Sequence, residues 1–370
     1  MMTQQLYIGI MSGTSMDGAD AVLIAMQEDK WRGALAHYFV PYTQDLRARL
    51  LALQNTGNNE LHRAEQLGIE LAHIYAQAVQ GLLTKSQNSA ANIRAIGCHG
   101  QTVRHAPEHE YSIQLGNLAK LAQLTQIFTV GDFRSGDLAH GGQGAPLVPA
   151  FHQAVFADKQ QTRVVLNIGG IANISVLQPD AAPFGFDTGA GNMLMDAWTQ
   201  HHWQLPFDKD GNKAAQGKLL PELLAKLMAH PYFAQAYPKS TGRELFSLTW
   251  LQNHLNGNES PYDVLRTLLH FTADTIAQAI FQTKIHVDAI YICGGGAHNP
   301  LLIKALQHNF ATQQQKIVIT DTHALNLNPQ WVEAAAFAWL ASSWCNQIPS
   351  NPHHATGAKK AVILGAGYFA

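Results

Sequence analysis

One local device occurs near the start of each half of this chain, and it constrains the fold more than any other feature. Leu6 to Met11 is an apolar run, Ser12 to Gly18 is a turn of glycine, hydroxyls and a carboxylate, and Ala19 to Met26 is apolar again. Val164 to Leu166, then Asn167-Ile168-Gly169-Gly170, then Ile171 to Leu177 repeats the pattern. Apolar runs on both sides of a small-residue turn predict a β-hairpin. Glycine lets the backbone approach an anion closely, so several N–H groups of one tip can converge on a phosphate. An ordinary glycine–aspartate turn is the plainer reading of either tip taken alone.

A third glycine cluster, Gly294-Gly295-Gly296, follows the predicted strand Ala289 to Cys293 and precedes a helix expected from about Asn299. There a backbone free of side chains can lie against a nucleotide base. Two hairpin tips facing each other across a cleft can hold a nucleoside triphosphate from both sides. The order predicted for each half is β-β-β-α-β-α-β. In the first half, strands are expected at Leu6–Met11, Ala19–Met26, Ala34–Val40, Ile93–Cys98 and near Ile127–Val130. One helix carries Leu46, Leu50 and Leu53, and a longer one carries the stripe Leu61, Ala64, Leu67, Leu71, Ile74, Ala78 and Leu82. In the second half a third strand is expected at Gly185 to Asp187. Ser260, Pro261 and Asp263 read as a capping box for a long helix, and a last helix is expected from Pro329 to Trp344. The glycine-rich stretch Gly141 to Gly144, with Pro146 and Pro149, is the expected linker.

At 370 residues the chain is long for one core, so two domains are expected. Lys and Arg number 24 against 26 Asp and Glu, and this balance implies no nucleic-acid surface. The three cysteines, Cys98, Cys293 and Cys345, have no paired spacing, which fits a reducing compartment. No apolar run approaches the roughly 20 residues needed to span a bilayer, and the N-terminus lacks a secretory pattern. A cytoplasmic protein without membrane contact is expected. The 19 histidines show no metal-ligand spacing.

Phosphoryl transfer needs positioning and charge neutralisation more than covalent chemistry. Asp17, on the first tip, is placed to hold magnesium through water; its plainer role is to shape its own turn. Asp187 follows Phe184-Gly185-Phe186 and precedes Thr188-Gly189-Ala190-Gly191-Asn192, which predicts a strand's C-terminal end. A sparsely covered carboxylate there suits a general base, with helix capping as the alternative. Arg134, flanked by Asp132 and Asp137, can fork onto a carboxylate or pair with either aspartate. His99, Gln101 and Thr102 read as lying just past a strand end, where α/β folds bind ligands. Glu333 sits in an otherwise apolar helix and either meets a polar group of a ligand or is exposed on the first turn.

The ordered set of turns resembles the actin-like ATPase superfamily of sugar kinases, actin and heat-shock chaperones. The wording is narrower. Gly9 to Gly18, Ile96 to Thr102, Val130 to Arg134, Gly141 to Pro149, Leu166 to Asn173, Phe186 to Asn192, Pro238 to Glu244 and Cys293 to Gly296 together resemble the anhydro-N-acetylmuramic acid kinases. The resemblance runs from Tyr7 to about Gly367. Two departures are small: Ala190 stands where the family often has proline, and Ser135-Gly136 replaces a more basic pair.

The resemblance implies an α/β protein of two actin-like, ribonuclease-H-like domains with a nucleotide cleft between them. The expected spans are 1–145, 146–345 and a tail, 346–370, that packs back on the first domain. It implies ATP with Mg2+, held by Gly13, Thr14, Ser15, Met16, Asp17, Gly18, Ala19 and Asp20, by Asn167, Gly169 and Gly170, and by Gly294, Gly295 and Gly296. It implies an amino sugar held by Thr14, His99, Gln101, Arg134, Asp187 and Glu333, with Asp187 as the base. The family reaction opens a 1,6-anhydro sugar with water and phosphorylates the released oxygen, in peptidoglycan recycling. The family also suggests a homodimer. An ordinary hexose or amino-sugar kinase uses one carboxylate in the same place. An ATP-driven filament or chaperone would need assembly surfaces, or a peptide-binding domain for which no residues remain.

Overall fold

The computed structural model describes residues 4–13, 16–242, 245–312 and 317–370. Contacts divide the chain into two units, 1–155 with 331–370, and 156–330.

In the first unit, β1 (Gln5–Ser12), β2 (Gly18–Gln27) and β3 (Lys30–Pro41) form an antiparallel meander. β4 (Ile93–Ala106) runs parallel to β1, and β6 (Thr129–Gly131) runs parallel to β4. β5 (Tyr111–Leu115) pairs with the far end of β4. The sheet order is β12-β6-β4-β1-β2-β3, with β12 (Ala366–Tyr368) closing the edge. Three antiparallel strands followed by parallel ones is the ribonuclease-H-like arrangement.

Alternation along β1 assigns the faces. Ile8 and Ile10 join Ala21, Leu23, Ile96 and Cys98 against α2 (Glu60–Ser86), whose Leu67, Leu71, Tyr75, Ala78 and Leu82 are buried. α1 (Gln44–Ala52) adds Leu46 and Leu50 to the same core. Leu61, expected in the stripe, is 86% exposed, because the buried face begins only at Leu67. On the opposite face, Gly9 and Gly97 admit a helix backbone: a Cβ at either would collide with the carbonyl oxygen of Ala334 or Phe337. α3 (Leu118–Thr125), α4 (Ser135–Leu138) and α5 (Val148–Phe156) lie between β5 and the end of the unit's first segment.

In the second unit, β7 (Arg163–Ile168), β8 (Ile171–Leu177) and β9 (Phe184–Ala190) form the meander. α6 (Met193–Trp203), α7 (Pro221–Met228), α8 (Leu248–Gln252) and α9 (Pro261–Gln282) follow. β10 (Ala289–Cys293), α10 (Pro300–Thr312) and β11 (Val318–Asp321) complete the order β11-β10-β7-β8-β9. Val164, Leu166 and Ile168 pack with Leu265, Leu268 and Phe271 in its core.

Several sequence expectations need correcting. The chain does not change unit at 141–149. Gly144 is tied to Asp137 and Arg134 within the first unit, and the crossing comes after Val155. α11 (Val332–Cys345), placed by sequence in the second domain, belongs to the first unit, where Gly9 and Gly97 receive it. Residues 346–370, with α12 (His353–Thr356), also fall in the first unit, the domain on which that tail was expected to pack. The capping box at Ser260 does not form: Ser260 makes no side-chain cap, and Asp263 accepts the Lys218 N–H at 2.7 Å instead. Among the described residues, no helix is long and apolar enough to cross a membrane.

Candidate active site

In the first unit the hairpin between β1 and β2 is held from beneath. Ser12 Oγ bonds Tyr42 Oη at 2.7 Å and also donates to Gln101 Oε1. Gln101 Nε2 donates to Gly13 O at 3.2 Å, Met16 N to Gly13 O at 3.1 Å, and Tyr42 N to Asp17 O at 2.9 Å. Gln101 is fully buried, so its amide fixes the tip's backbone. Met16 adopts φ 54° with its side chain in the core. Gly18 is required where it stands, since a Cβ would collide with Phe39 and the Val40 carbonyl. Ala19 packs inward from β2. Asp20 accepts His37 Nε2 at 2.7 Å; burial raises its carboxyl pKa, and the His37 bond opposes that rise. Thr14 and Ser15 lie outside the described residues.

His99, Gln101 and Thr102 are not past a strand end but within β4. The strand continues because β5 takes over from β1 at Gln101, which pairs with both, just past Gly100 at φ 79°. His99 Nε2 meets Arg134 Nη2 at 2.8 Å, and Arg134 Nη1 donates to Gly144 O at 2.6 Å. A guanidinium only donates, so His99 Nε2 accepts and its proton sits on Nδ1. Burial first, then the Arg134 charge, holds the imidazole well below its usual pKa. Phe337 of α11 lies 4.6 Å from the His99 ring, and Glu333 opens the same helix, half-buried. The two aspartates flanking Arg134 have other duties: Asp132 accepts Ser135 Oγ at 2.5 Å, and Asp137 accepts Gly144 N at 2.8 Å.

In the second unit Asp187 is not at a strand end. β9 runs on to Ala190. The pairing with β8 slips between Ala172 and Asn173, leaving Thr188 as the extra residue. Thr188 Oγ1 donates to Ala172 O at 3.1 Å, and Gly189 takes φ 143°, which lets the strand continue. Asp187 is then enclosed by a strap. Its N–H donates to Lys239 O at 3.1 Å, Tyr232 Oη donates to its carbonyl at 2.6 Å, and Thr241 N–H donates to Oδ2 at 3.0 Å. Burial, with the Asp187 charge, pushes the Tyr232 phenol pKa up. The Lys239 amine is buried against the carbonyls of Tyr232 and Phe233 at 3.2 and 3.5 Å, and burial lowers its pKa.

Gly169 and Gly170 join the start of α6: Asn192 N donates to Gly169 O at 2.8 Å, and Gly191 N to Gly170 O at 2.9 Å. Gly169 N–H turns inward to Ile171 O at 3.2 Å. Asn167 is buried at the end of β7, and its Oδ1 has no hydrogen-bond partner among the described residues. Gly294, φ 78°, lies against it; a Cβ there would collide with that oxygen and come 2.8 Å from Ile168 O. Gly296 is buried and Gly295 is exposed beside it. Sequence reading missed Tyr42, Tyr232, Lys239 and Thr241. The only signal was the unexplained run Pro238 to Glu244, of which Arg243 and Glu244 lie outside the described residues.

A ribonuclease-H-like sheet in each unit, with one carboxylate beside a sheet bulge held by the Thr241 amide, is the architecture of the actin-like ATPase class to which sugar kinases belong. The chain's particular membership comes from whole-chain comparison. The family model for anhydro-N-acetylmuramic acid kinase matches residues 5–370, and the chain belongs to that family. It is 64% identical over 368 residues to the anhydro-N-acetylmuramic acid kinase of Neisseria meningitidis serogroup C (strain 053442), covering 100% of each chain. The enzyme of that name from Nitrosospira multiformis is 50% identical over 364 residues, with 98% of each chain covered. That of Chromobacterium violaceum is 49% identical over 366 residues, covering 98% of this chain and 99% of the relative.

Proposed function

We propose that this chain is an ATP-dependent kinase. It opens the ring of 1,6-anhydro-N-acetylmuramic acid with water and releases N-acetylmuramic acid 6-phosphate and ADP, in peptidoglycan recycling. The observation that carries this reading is the Asp187 carboxylate, oriented through Oδ2 by the Thr241 amide, in a chain of this family.

Asp187 takes a proton from water, whose oxygen forms the new bond to the anomeric carbon. The bond from that carbon to the bridging oxygen breaks, and the bridging oxygen keeps the electron pair. That oxygen then bonds the γ-phosphorus as the bond to the ADP oxygen breaks. Capture of the phosphoryl group offsets the charge developing on an otherwise poor leaving group. Positioned acid–base groups of this kind contribute about 10²–10⁴-fold.

In this reading Gly13 to Asp20 and Asn167, Gly169 and Gly170 serve the phosphates, and Gly294 to Gly296 serve the adenine. The inward turn of Gly169 N–H leaves its part to shaping the turn. Arg134 takes the lactyl carboxylate, and His99, Gln101, Glu333 and Thr14 serve the sugar. Among the described residues no cluster of three metal-binding side chains exists. That fits a magnesium ion carried chiefly by the triphosphate, with Asp17 holding it through water; the ion would neutralise phosphate charge. The reading places the enzyme in the cytoplasm, as a homodimer.

The test is turnover in oxygen-18 water. Label is expected at the anomeric hydroxyl, read before it exchanges through the open-chain sugar, and none in the phosphate. A phosphorylated product with its anhydro ring intact would overturn the ring-opening step. Label in phosphate would mean simple ATP hydrolysis.

A further inference from the structure

We infer that Asp137 is a positioning residue for Arg134, acting through the backbone of Gly144 and held in place by the C-terminal segment. Asp137 lies on α4 and its side chain has no solvent exposure. A carboxylate so buried is costly unless its oxygens are taken by donors. Three are present. Gly144 N donates to Oδ2 at 2.8 Å, and Asn351 Nδ2 and Thr356 Oγ1 donate to Oδ1 at 3.0 and 2.7 Å. The last two come from 214 and 219 residues further along the chain.

Those two are themselves fixed. Asn351 Oδ1 accepts Val362 N at 2.6 Å, and Thr356 O accepts Gln143 N at 2.9 Å. The other end of the same Gly144 residue accepts Arg134 Nη1 at 2.6 Å. One glycine therefore receives a carboxylate at its N–H and passes its carbonyl to a guanidinium. The two bonds fix the peptides on either side of the Gly144 Cα. Arg134 Nη2 then reaches His99 Nε2 at 2.8 Å, which sets the plane of the guanidinium at a second point.

This assigns a purpose to the run Gly141-Gly142-Gln143-Gly144. Gly144 sits at φ 67°, where L side chains are strained, and a Cβ on Gly142 would collide with Asp137 Oδ2. The loop is built around the carboxylate. The inference rests on the proposed role of Arg134 toward the substrate carboxylate. It adds that the aim of Arg134 is set by residues that touch no substrate.

Asp137→Asn tests it: the single amide oxygen can keep the two donors at the Oδ1 position, and the NH2 then left at the Oδ2 position cannot accept the Gly144 N–H. The KM for 1,6-anhydro-N-acetylmuramic acid is expected to rise roughly tenfold or more, the scale of one charge-assisted hydrogen bond, with the KM for ATP held within about twofold. For 1,6-anhydro-N-acetylglucosamine, which lacks the lactyl carboxylate, the variant should match the wild type. Thr356→Val, isosteric and missing one donor, should move the same constant less. Parallel rises for both sugars and for ATP would mean a merely structural role and overturn the inference. A second arm uses no sugar. Nitrogen-15 spectra of histidine-labelled protein, with His99 assigned by its loss in His99→Gln, should show the His99 signals shifted by Asp137→Asn. Unshifted signals overturn the inference whatever the kinetics. If the wild type consumed ATP with neither sugar, the proposed reaction would fail while this arm still decided the Asp137–Arg134 link.

Discussion

The Thr241 N–H donates to Asp187 Oδ2 at 3.0 Å across 54 residues of sequence. With one oxygen held by an amide, the carboxylate has a set direction. Asp187→Asn keeps the shape but removes the base. Turnover should fall by about 10²–10⁴-fold with the KM for ATP little changed. A variant that turned over near wild type would remove Asp187 from the role, and one that lost ATP binding would move it to the nucleotide site. Tyr232→Phe, which deletes only the bond to the Asp187 carbonyl, should cost about 1 kcal/mol of stability and far less turnover.

Gly294 has neither the conformation nor the room for a side chain. In Gly294→Ala the methyl would push on Asn167, whose buried Oδ1 lies at the end of β7, in the segment assigned to the phosphates. The KM for ATP should rise about tenfold or more, and the KM for the sugar by much less, since 1.4 kcal/mol of lost fit is already tenfold. Equal rises in both would show that the glycine serves the fold and not the nucleotide.

Gly9 is where α11 reaches the first sheet, and a Cβ would collide with Ala334 O and lie 2.6 Å from Ala338 N. Both are backbone atoms, so relief requires moving the helix. Gly9→Ala should destabilise by about 3 kcal/mol, the upper part of the range for overpacked cores. The urea midpoint measures it. A midpoint within error of wild type would mean that the helix shifts freely.

His152 on α5 is 1% exposed, and burial lowers its imidazole pKa to about 3. The unfolded chain, with a histidine near 6.5, therefore binds the extra proton first. Stability is unaffected by this group above about pH 6.5 and declines as pH falls from there toward about 3, by roughly 1.4 kcal/mol per unit. His152→Gln should remove that share of the slope. Urea midpoints of both proteins at pH 7, 6 and 5 isolate it, because the other buried histidines contribute equally to each. Identical slopes would show that His152 is not the group responsible.

The residues alone carried the strand–turn–strand opening of each half, the strand Ala289–Cys293 and the three glycine clusters. Each is a local pattern: alternation, turn chemistry and glycine act over a few neighbours. The family wording marked Asp187 and Arg134 for the same reason, since short motifs are contiguous. What contacts distant in sequence decide was not legible. β4 runs past His99 because β5 is there to pair with it, and Asp187 lies mid-strand because β8 slips by one residue opposite it. α11 joins the first unit because two glycines on different strands leave a groove for its backbone. The strap over Asp187 and the clasp around Asp137 join residues 54 and more than 200 positions apart. Local propensity reports what a segment prefers. A buried carboxylate, a bulge or a helix seated on glycine is settled by whichever partner the whole chain brings to it, and only the folded tertiary structure supplies that partner.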